Sequence, residues 1–141
     1  MVKENENLND NLADQIITRT SRIWLDVEGI VRIVKLPGAE ETLEDAERNY
    51  DAIIKVSGQK RRPIFIDGSL LKSVTRKVRV YYAKNIPKQA TAIAPLTKSS
   101  FNRVLASFLQ PLIKTIYKGD FPFKIFTSEK EAIEWLRGHL D

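Results

Sequence analysis

The sequence predicts an α/β domain whose elements follow the order ββαβαβαβα, with a mostly parallel mixed sheet of about five strands and about four helices. Three observations lead to this prediction: a β-branched hairpin pattern near the N-terminus, apolar runs that alternate with segments of helical period, and a capping box before the last helix. Alternation of strands and helices implies parallel strands joined by right-handed crossovers, and the opening hairpin adds an antiparallel strand.

The hairpin is predicted from two runs rich in β-branched residues, at positions 21–27 and 30–36. Glu28-Gly29 lies between them and is typical of a tight turn that joins antiparallel strands. Pro37-Gly38 follows the second run and is expected to end that strand.

The first helix is predicted where the apolar spacing changes to a helical period. Thr42 is the expected N-cap, and Gly58 is expected to end the helix. The short apolar run 63–67 then predicts a buried strand. The residues expected on the buried face of this helix are Leu43, Ala46, Tyr50, Ile53 and Ile54.

A second strand–helix unit follows the loop 68–73. Thr75 could cap its helix, and Pro87 is expected to follow the end of the helix. Small residues at 90–95 predict another buried strand. The apolar residues that recur at helical spacing here are Val74, Val78, Tyr81 and Tyr82.

The clearest amphipathic helix is predicted to begin at Ser99 or Ser100 and to continue to Ile116. Pro111 lies within it, so we expect a kink or break just before that residue. A last strand is predicted for 121–126, and Ser128 with Glu131 forms the capping box of the final helix. The residues expected to be buried in that helix are Ala132, Ile133, Trp135 and Leu136.

Size and composition indicate one ordinary globular domain. The chain has 141 residues, from which we predict a flexible polar tail at 1–15 and a single domain at 16–141. The sequence has no cysteine, which excludes disulfides and cysteine-based zinc sites and is typical of a reducing cytoplasm. No apolar run approaches the roughly 18 residues of a membrane span, so we expect a cytoplasmic protein with no membrane span.

Charge is distributed unevenly along the chain. The net charge is +5, yet no acidic residue occurs between Asp67 and Asp120. This asymmetry points to an anionic partner or to self-association of unlike faces, whereas the alternative is a solvated surface that pairs with acids elsewhere in the fold. The basic residues of the acid-free stretch are Lys72, Arg76, Lys77, Arg79, Lys84, Lys88, Lys98, Arg103, Lys114 and Lys118.

The element order and three motifs resemble the STAS/SpoIIAA-like superfamily, the fold of bacterial anti-sigma factor antagonists. The motifs are Pro-Ile-Phe-Ile-Asp at 63–67, Val-Arg-Val-Tyr-Tyr at 78–82, and Phe-Lys-Ile-Phe at 123–126 leading to Glu-Ala-Ile-Glu-Trp-Leu at 131–136. Uncharacterised bacterial STAS/SEC14-like single-domain proteins are the most similar in pattern. The resemblance covers roughly residues 20–140.

The resemblance implies regulation by binding, with two departures in this sequence. Antagonists carry a phosphorylated Ser-Ser-Gly motif after the strand that ends near Asp67, whereas here the nearest hydroxyls, and the candidate phospho-acceptors, are Ser73 and Thr75. Kinase-controlled switching of a sigma factor is therefore in doubt. The SEC14 side of the resemblance implies lipid binding, for which a chain this short has little room.

Few residues suit catalysis. His139 is the only histidine and lies at the end of the last helix, and the carboxylates cluster at helix starts. No metal-ligand spacing and no glycine-rich phosphate loop occur. We therefore expect no catalytic residue, no metal and no cofactor.

The loop that follows the strand at 63–67 is the best candidate site. It would leave the carboxyl end of a central strand and lead into a helix N-terminus, where α/β sheets place ligands and backbone N–H groups attract anions. The alternative is a plain strand–helix connection. The candidate residues are Asp67, Ser69, Ser73, Thr75, Arg76, Lys77 and Arg79, with a second basic strip at Lys98 and Arg103.

Two functions remain open from the sequence. The first is a non-catalytic regulatory protein-interaction module of STAS-like type, with an unidentified protein partner for which an acidic surface is the expectation; a homodimer is also compatible. The alternative is an anion-binding module, for nucleic acid, nucleotide or phospholipid headgroup, that uses the basic face of residues 68–118.

Overall fold

The computed structural model describes residues 14–99, 104, 107, 109–117 and 119–140. The tail predicted at 1–15 therefore lies outside the described residues, except for its last two positions. The strands are β1 (Ile16–Ile17), β2 (Ser21–Leu25), β3 (Val31–Lys35), β4 (Glu40–Glu41), β5 (Arg62–Asp67), β6 (Ser73–Val74) and β7 (Ala90–Leu96). The helices are α1 (Leu43–Ser57), α2 (Arg76–Gln89), α3 (Leu109–Tyr117) and α4 (Glu129–Arg137).

The main sheet is mixed and has five strands in the order β1-β2-β3-β5-β7. β1, β2 and β3 pair antiparallel, while β3–β5 and β5–β7 pair parallel. The prediction of an α/β domain with about four helices and a mixed sheet of about five strands is confirmed. The sheet was expected to be mostly parallel, but two of its four strand pairings are antiparallel, because the opening hairpin is extended by β1. None of the helices in the described residues is long and apolar enough to cross a membrane.

The hairpin turn is built by one buried carboxylate. Asp26 accepts hydrogen bonds at Oδ1 from the backbone N–H groups of Glu28 and Ile30, both at 2.9 Å. Its other oxygen accepts from Nε of Arg32 at 2.9 Å. Gly29 adopts φ +98°, a conformation that costs glycine nothing but is strained for other residues.

The helix caps predicted at Thr42, Gly58, Thr75 and Ser128 are observed. The helix start predicted at Ser99 or Ser100 adjoins residues 100–103, which lie outside the described residues. Thr42 and Asp45 form a reciprocal capping box, and Gly58 ends α1 in the left-handed conformation. Thr75 accepts from the N–H of Val78, and Ser128 caps α4 in the same manner. These local interactions fix where α1, α2 and α4 begin.

The helices cover both faces of the sheet. Alternate residues of β5 point to opposite faces, so Ile64 joins one core and Phe65 the other. The first core contains buried residues of α1, α2 and α3, and the second contains those of α4. Ala132, Ile133 and Leu136 are buried as predicted, while Trp135 is half-buried.

Several predicted boundaries are wrong. Val74 belongs to β6, which pairs parallel with β4 in a separate two-stranded ribbon, because its backbone bonds to that strand before the helix begins. Pro87 lies inside α2 rather than beyond it. Leu43, expected on the buried face, is the first residue of α1 and is 40% exposed. Pro111 is the third residue of the described helix α3, and residue 108 lies outside the described residues, so the kink or break expected just before Pro111 stays a prediction.

The strand predicted at 121–126 is reduced to two isolated parallel bridges, Ile93 with Phe123 and Leu96 with Phe126. Pro122 has no N–H to donate, although its carbonyl accepts from the N–H of Ile93 at 3.0 Å. The segment still lies along the free edge of β7, which places Thr97 beside Phe126 through a 2.9 Å backbone bond.

Candidate functional site

The carboxyl ends of β3, β5 and β7 meet at one edge of the sheet. Val34, Asp67 and Leu96 are in register across these strands, and the loops that follow them lie side by side. The candidate loop after Asp67 therefore leaves the sheet where open α/β folds place their sites.

Asp67 and Ser69 shape this loop. Asp67 Oδ1 accepts from the backbone N–H of Ser69 at 3.0 Å and from its hydroxyl at 2.6 Å. The loop is then tied to the segment before β4, because Gly38 donates its N–H to the carbonyl of Leu70. The predicted polar residues at the start of the loop thus stabilise a turn.

The remaining hydroxyls of the candidate loop lie on its outer side. Ser73 is exposed in β6, opposite Glu40 of the ribbon. Thr75 is exposed as well, but its oxygen is occupied as the N-cap of α2. Both candidate phospho-acceptors are therefore accessible, and only Ser73 has a side chain without a capping role.

The basic candidates divide into an exposed group and one cavity residue. Arg76, Lys77 and Lys98 are exposed, whereas Arg79 is half-buried and donates from Nη1 to the carbonyl of Val74 at 3.0 Å. Arg103 lies outside the described residues. The structure therefore does not bring all of these basic side chains to one point.

The exposed lysines of α2 form a stripe. Lys77, Lys84 and Lys88 are spaced by seven and four residues, so they share one face of the helix, and Arg76 lies beside the first of them. All four are exposed, and α2 contains no acidic residue. We call these four residues the α2 stripe.

A cavity of about 100 Å³ lies behind the candidate loop, between the sheet and α2. Sequence reasoning did not predict it. The apolar residues that line it are Ile33, Ile53, Ile66, Leu71, Val74, Ile86, Pro95, Leu96 and Leu109. The polar residues that line it are Lys35, Glu41, Asn49, Arg79, Tyr82 and Thr97.

Four of the polar residues form a buried cluster, defined as Lys35, Glu41, Asn49 and Tyr82. Lys35 Nζ donates to Glu41 Oε2 at 2.6 Å, and Tyr82 donates from its hydroxyl to Glu41 Oε1 at 2.9 Å. Asn49 Nδ2 is 3.1 Å from Glu41 and 3.0 Å from the Tyr82 oxygen. The carboxylate therefore accepts from all three partners, as a buried charge requires.

Ionisation in the cluster follows from burial and pairing. Burial on its own lowers the pKa of Lys35, but the oxygens of Tyr82 and Glu41 outweigh it, so the pKa is raised. Burial raises the pKa of Tyr82 to about 12, although the nearby Lys35 opposes this. Lys35 is thus a cation at neutral pH and Tyr82 a neutral hydroxyl, which makes neither a ready nucleophile.

The cluster was missed because each member resembles something ordinary in the sequence. Glu41 belongs to an acidic run at a helix start, and Tyr82 fits the buried spacing of α2. One indication was present: Val31, Ile33 and Lys35 alternate along β3, which places the lysine on the buried face.

Thr97 also lines the cavity but does not belong to the buried cluster. It is 3% exposed, and its Oγ1 has no hydrogen-bond partner in the part of the chain that the structure describes. Buried hydroxyls are normally paired. The same described residues contain no group of three or more acidic or histidine side chains placed to hold a metal ion.

Solved structures include a protein with the same architecture. It is an uncharacterised protein of the DUF3478 family from Shewanella loihica PV-4, described as having a SpoIIAA-like fold. It is 12% identical over 86% of this chain and 90% of that chain, with a TM-score of 0.53. The molecule is therefore a SpoIIAA-like α/β domain, which confirms the fold implied by the sequence resemblance.

The family follows from the sequence itself. A family model described as a domain of unknown function, DUF7793, matches residues 23–140, and the chain belongs to that family. A protein of unknown function from Arthrobacter sp. FB24 is 34% identical over 81% of this chain and 96% of that chain, with a TM-score of 0.31. No curated protein matches the sequence.

Proposed function

We propose that this domain is a non-catalytic regulatory module of the cytoplasm that binds an acidic segment of a partner protein on the α2 stripe. The observation that carries the proposal is the exposed, acid-free face of α2. At 1.5 Å per residue, the stripe extends about 16 Å along the helix from its first to its last lysine.

The charges of the stripe are available to a partner. None of its four side chains forms an ion pair with a carboxylate among the described residues, whereas Arg19, Arg32 and Arg137 elsewhere each do. Like charges held on one helix face repel one another, and an acidic partner relieves that repulsion. Complementary charge of this kind raises association rates and selects the partner.

Protein carboxylates fit this face better than single-stranded nucleic acid. A nucleic-acid surface needs exposed aromatic rings among the basic residues. Tyr81 instead packs edge-on against Tyr50, with ring centroids 6.1 Å apart, and Tyr82 belongs to the buried cluster. Both tyrosines of α2 are therefore engaged within the fold.

Charge reversal tests the proposal. The variant Lys77→Glu/Lys84→Glu reverses two stripe charges, and Lys60→Glu/Lys130→Glu is a control that reverses two exposed lysines elsewhere with the same change in net charge. Endogenous proteins crosslinked to each variant in cell extract are compared with those of the wild type. A specific partner should be lost from the stripe variant alone, and raised salt should weaken its capture.

Two results would count against this function. Equal capture by the stripe variant and the control variant would remove the α2 stripe from recognition. Tight, salt-sensitive binding of a fluorescent oligonucleotide that is lost only in the stripe variant would favour the anion-binding alternative over a protein partner.

A further inference from the structure

We propose that a second copy of this chain binds the α2 stripe through a row of carboxylates on α1, so that two molecules form a symmetric dimer when no other partner is bound. The α1 row consists of Glu47 and Asp51, which are four residues apart and therefore share one face of the helix. The inference deepens the proposed function, since it rests on the same stripe as the recognition site and names a second occupant for it.

The α1 row lies beside α2 on the outer surface of the domain. Glu47 and Asp51 are exposed, and neither forms an ion pair in the part of the chain that the structure describes. Burial raises the pKa of Tyr81 on α2, and the negative charges of Glu47 and Asp51 raise it further. Both carboxylates therefore lie on the flank of α1 that faces α2.

The two helices run side by side in the same direction. α1 leads from β3 to β5 and α2 from β5 to β7, and these three strands are parallel. Tyr50 and Tyr81 pack edge-on with ring centroids 6.1 Å apart, which sets the relative height of the helices. Asp51 follows Tyr50 directly, and Lys77 and Lys84 each lie about one turn from Tyr81. The acidic and basic charges are thus neighbours at one level.

A face that carries a negative row next to a positive row is complementary to itself. A two-fold axis parallel to the helices places α1 of one molecule over α2 of the other, and symmetry repeats the contact. A two-fold axis across the helices would instead place like charges opposite each other. A purely acidic surface that covered both helices would be repelled by the α1 row, so a second copy fits the whole face best.

Two tyrosines lie at the centre of this face. Tyr50 and Tyr81 meet between the helices, and each is only half-buried. Aromatic side chains are enriched in the cores of protein interfaces, where polar and charged groups form the rim. A two-fold axis over the tyrosine pair covers the exposed part of both rings in both molecules, which adds an apolar contribution to the charge pairing.

Sedimentation velocity of the full chain at low salt, over a range of protein concentrations, measures the self-association. The wild type should form dimers, and raised salt should weaken them. Glu47→Lys/Asp51→Lys reverses the α1 row, and Lys77→Glu/Lys84→Glu reverses the stripe. Each variant should raise the dimer dissociation constant at least about tenfold, because like charges then face each other.

Charge swapping separates this dimer from a general effect of net charge. An equimolar mixture of the two variants should form a heterodimer at least about tenfold tighter than either variant with itself, because unlike rows face each other again. One chain with all four substitutions should dimerise within about threefold of the wild type. Two controls that reverse exposed charges on other surfaces should stay within about twofold of the wild type: Glu131→Lys/Glu134→Lys and Lys60→Glu/Lys130→Glu.

A wild type that stays monomeric at every concentration would overturn the inference, as would a mixture that forms no heterodimer. Glu47→Lys/Asp51→Lys keeps the stripe, so it should still capture the partner protein from cell extract. A monomeric wild type whose partner is lost in Lys77→Glu/Lys84→Glu would overturn self-association alone. A dimer that follows the charge swap without any stripe-dependent partner would overturn the proposed function alone.

Discussion

Replacing Lys35 by Met should destabilise the domain severely, although methionine fits the same space. The Lys35 side chain is 7% exposed and that of Glu41 is 0% exposed, so the change leaves a fully buried carboxylate without its cation. Removing one partner of a buried ion pair costs about 3–5 kcal/mol. That is a large part of the roughly 5–15 kcal/mol that stabilises a typical domain.

The loss of free energy of unfolding in Lys35→Met should arise from the unpaired charge, and a double-mutant cycle of Lys35 and Glu41 tests this. Glu41→Gln leaves the Lys35 ammonium uncompensated and should cost a similar amount. The double variant Lys35→Met/Glu41→Gln leaves no buried charge, and its glutamine can still bond to Asn49 and Tyr82, so it should cost only about 1–2 kcal/mol. The coupling energy between the two positions should then exceed about 2 kcal/mol.

Urea denaturation at pH 7, followed by the fluorescence of Trp24 and Trp135, measures each corner of the cycle. The control is the same cycle on Arg48 and Glu44, an exposed pair at 3.4 Å on α1, for which coupling of only about 0.3–0.5 kcal/mol is expected. Two results would refute the idea that the unpaired charge of Glu41 destabilises the fold. One is a cost of less than about 1 kcal/mol for Lys35→Met, and the other is a coupling energy between Lys35 and Glu41 no larger than that between Arg48 and Glu44.

Three further predictions concern pH, backbone and core. The Arg19 guanidinium holds the pKa of Asp45 well below its usual value in the folded state, so the wild type should lose stability progressively as the pH falls below about 4; Asp45→Asn should flatten that loss in acid denaturation followed by circular dichroism. Gly58→Ala should cost about 1 kcal/mol, measured by urea unfolding, because φ is +66° and no atom closer than 4.0 Å meets the new methyl; an unchanged midpoint would contradict this. Phe65→Ala should lower the free energy of unfolding by about 3–5 kcal/mol, and a calorimetric loss below 1 kcal/mol would place Phe65 outside the core.

Elements governed by local chemistry could be predicted from the sequence. Thr42, Thr75 and Ser128 cap their helices because a side-chain oxygen reaches an N–H three residues away, an interaction contained in the local sequence. The hairpin around Gly29 is local in the same sense. The order of these elements then restricts the topology to a small number of α/β arrangements.

Features that depend on distant pairing could not be predicted. Lys35 and Tyr82 are 47 positions apart, and only the packing of α2 over the sheet brings them within 3.3 Å. The ribbon of β4 and β6 joins two dipeptides with no strand pattern of their own. Of the predicted candidate residues, Arg79 lines the cavity. Thr97 was given no role, because it lies two residues beyond the strand predicted at 90–95 and carries no motif.

The segment beside β7 has a consequence for self-association. An apolar strand at the end of a sheet exposes a row of backbone groups that a second molecule can extend. Here Ile93 and Pro95 are bonded along that row to residues 122–126, through N–H and carbonyl groups at 2.9–3.1 Å. The irregular segment thus occupies backbone groups of β7 that a strand of a neighbouring molecule would otherwise need for edge-to-edge pairing.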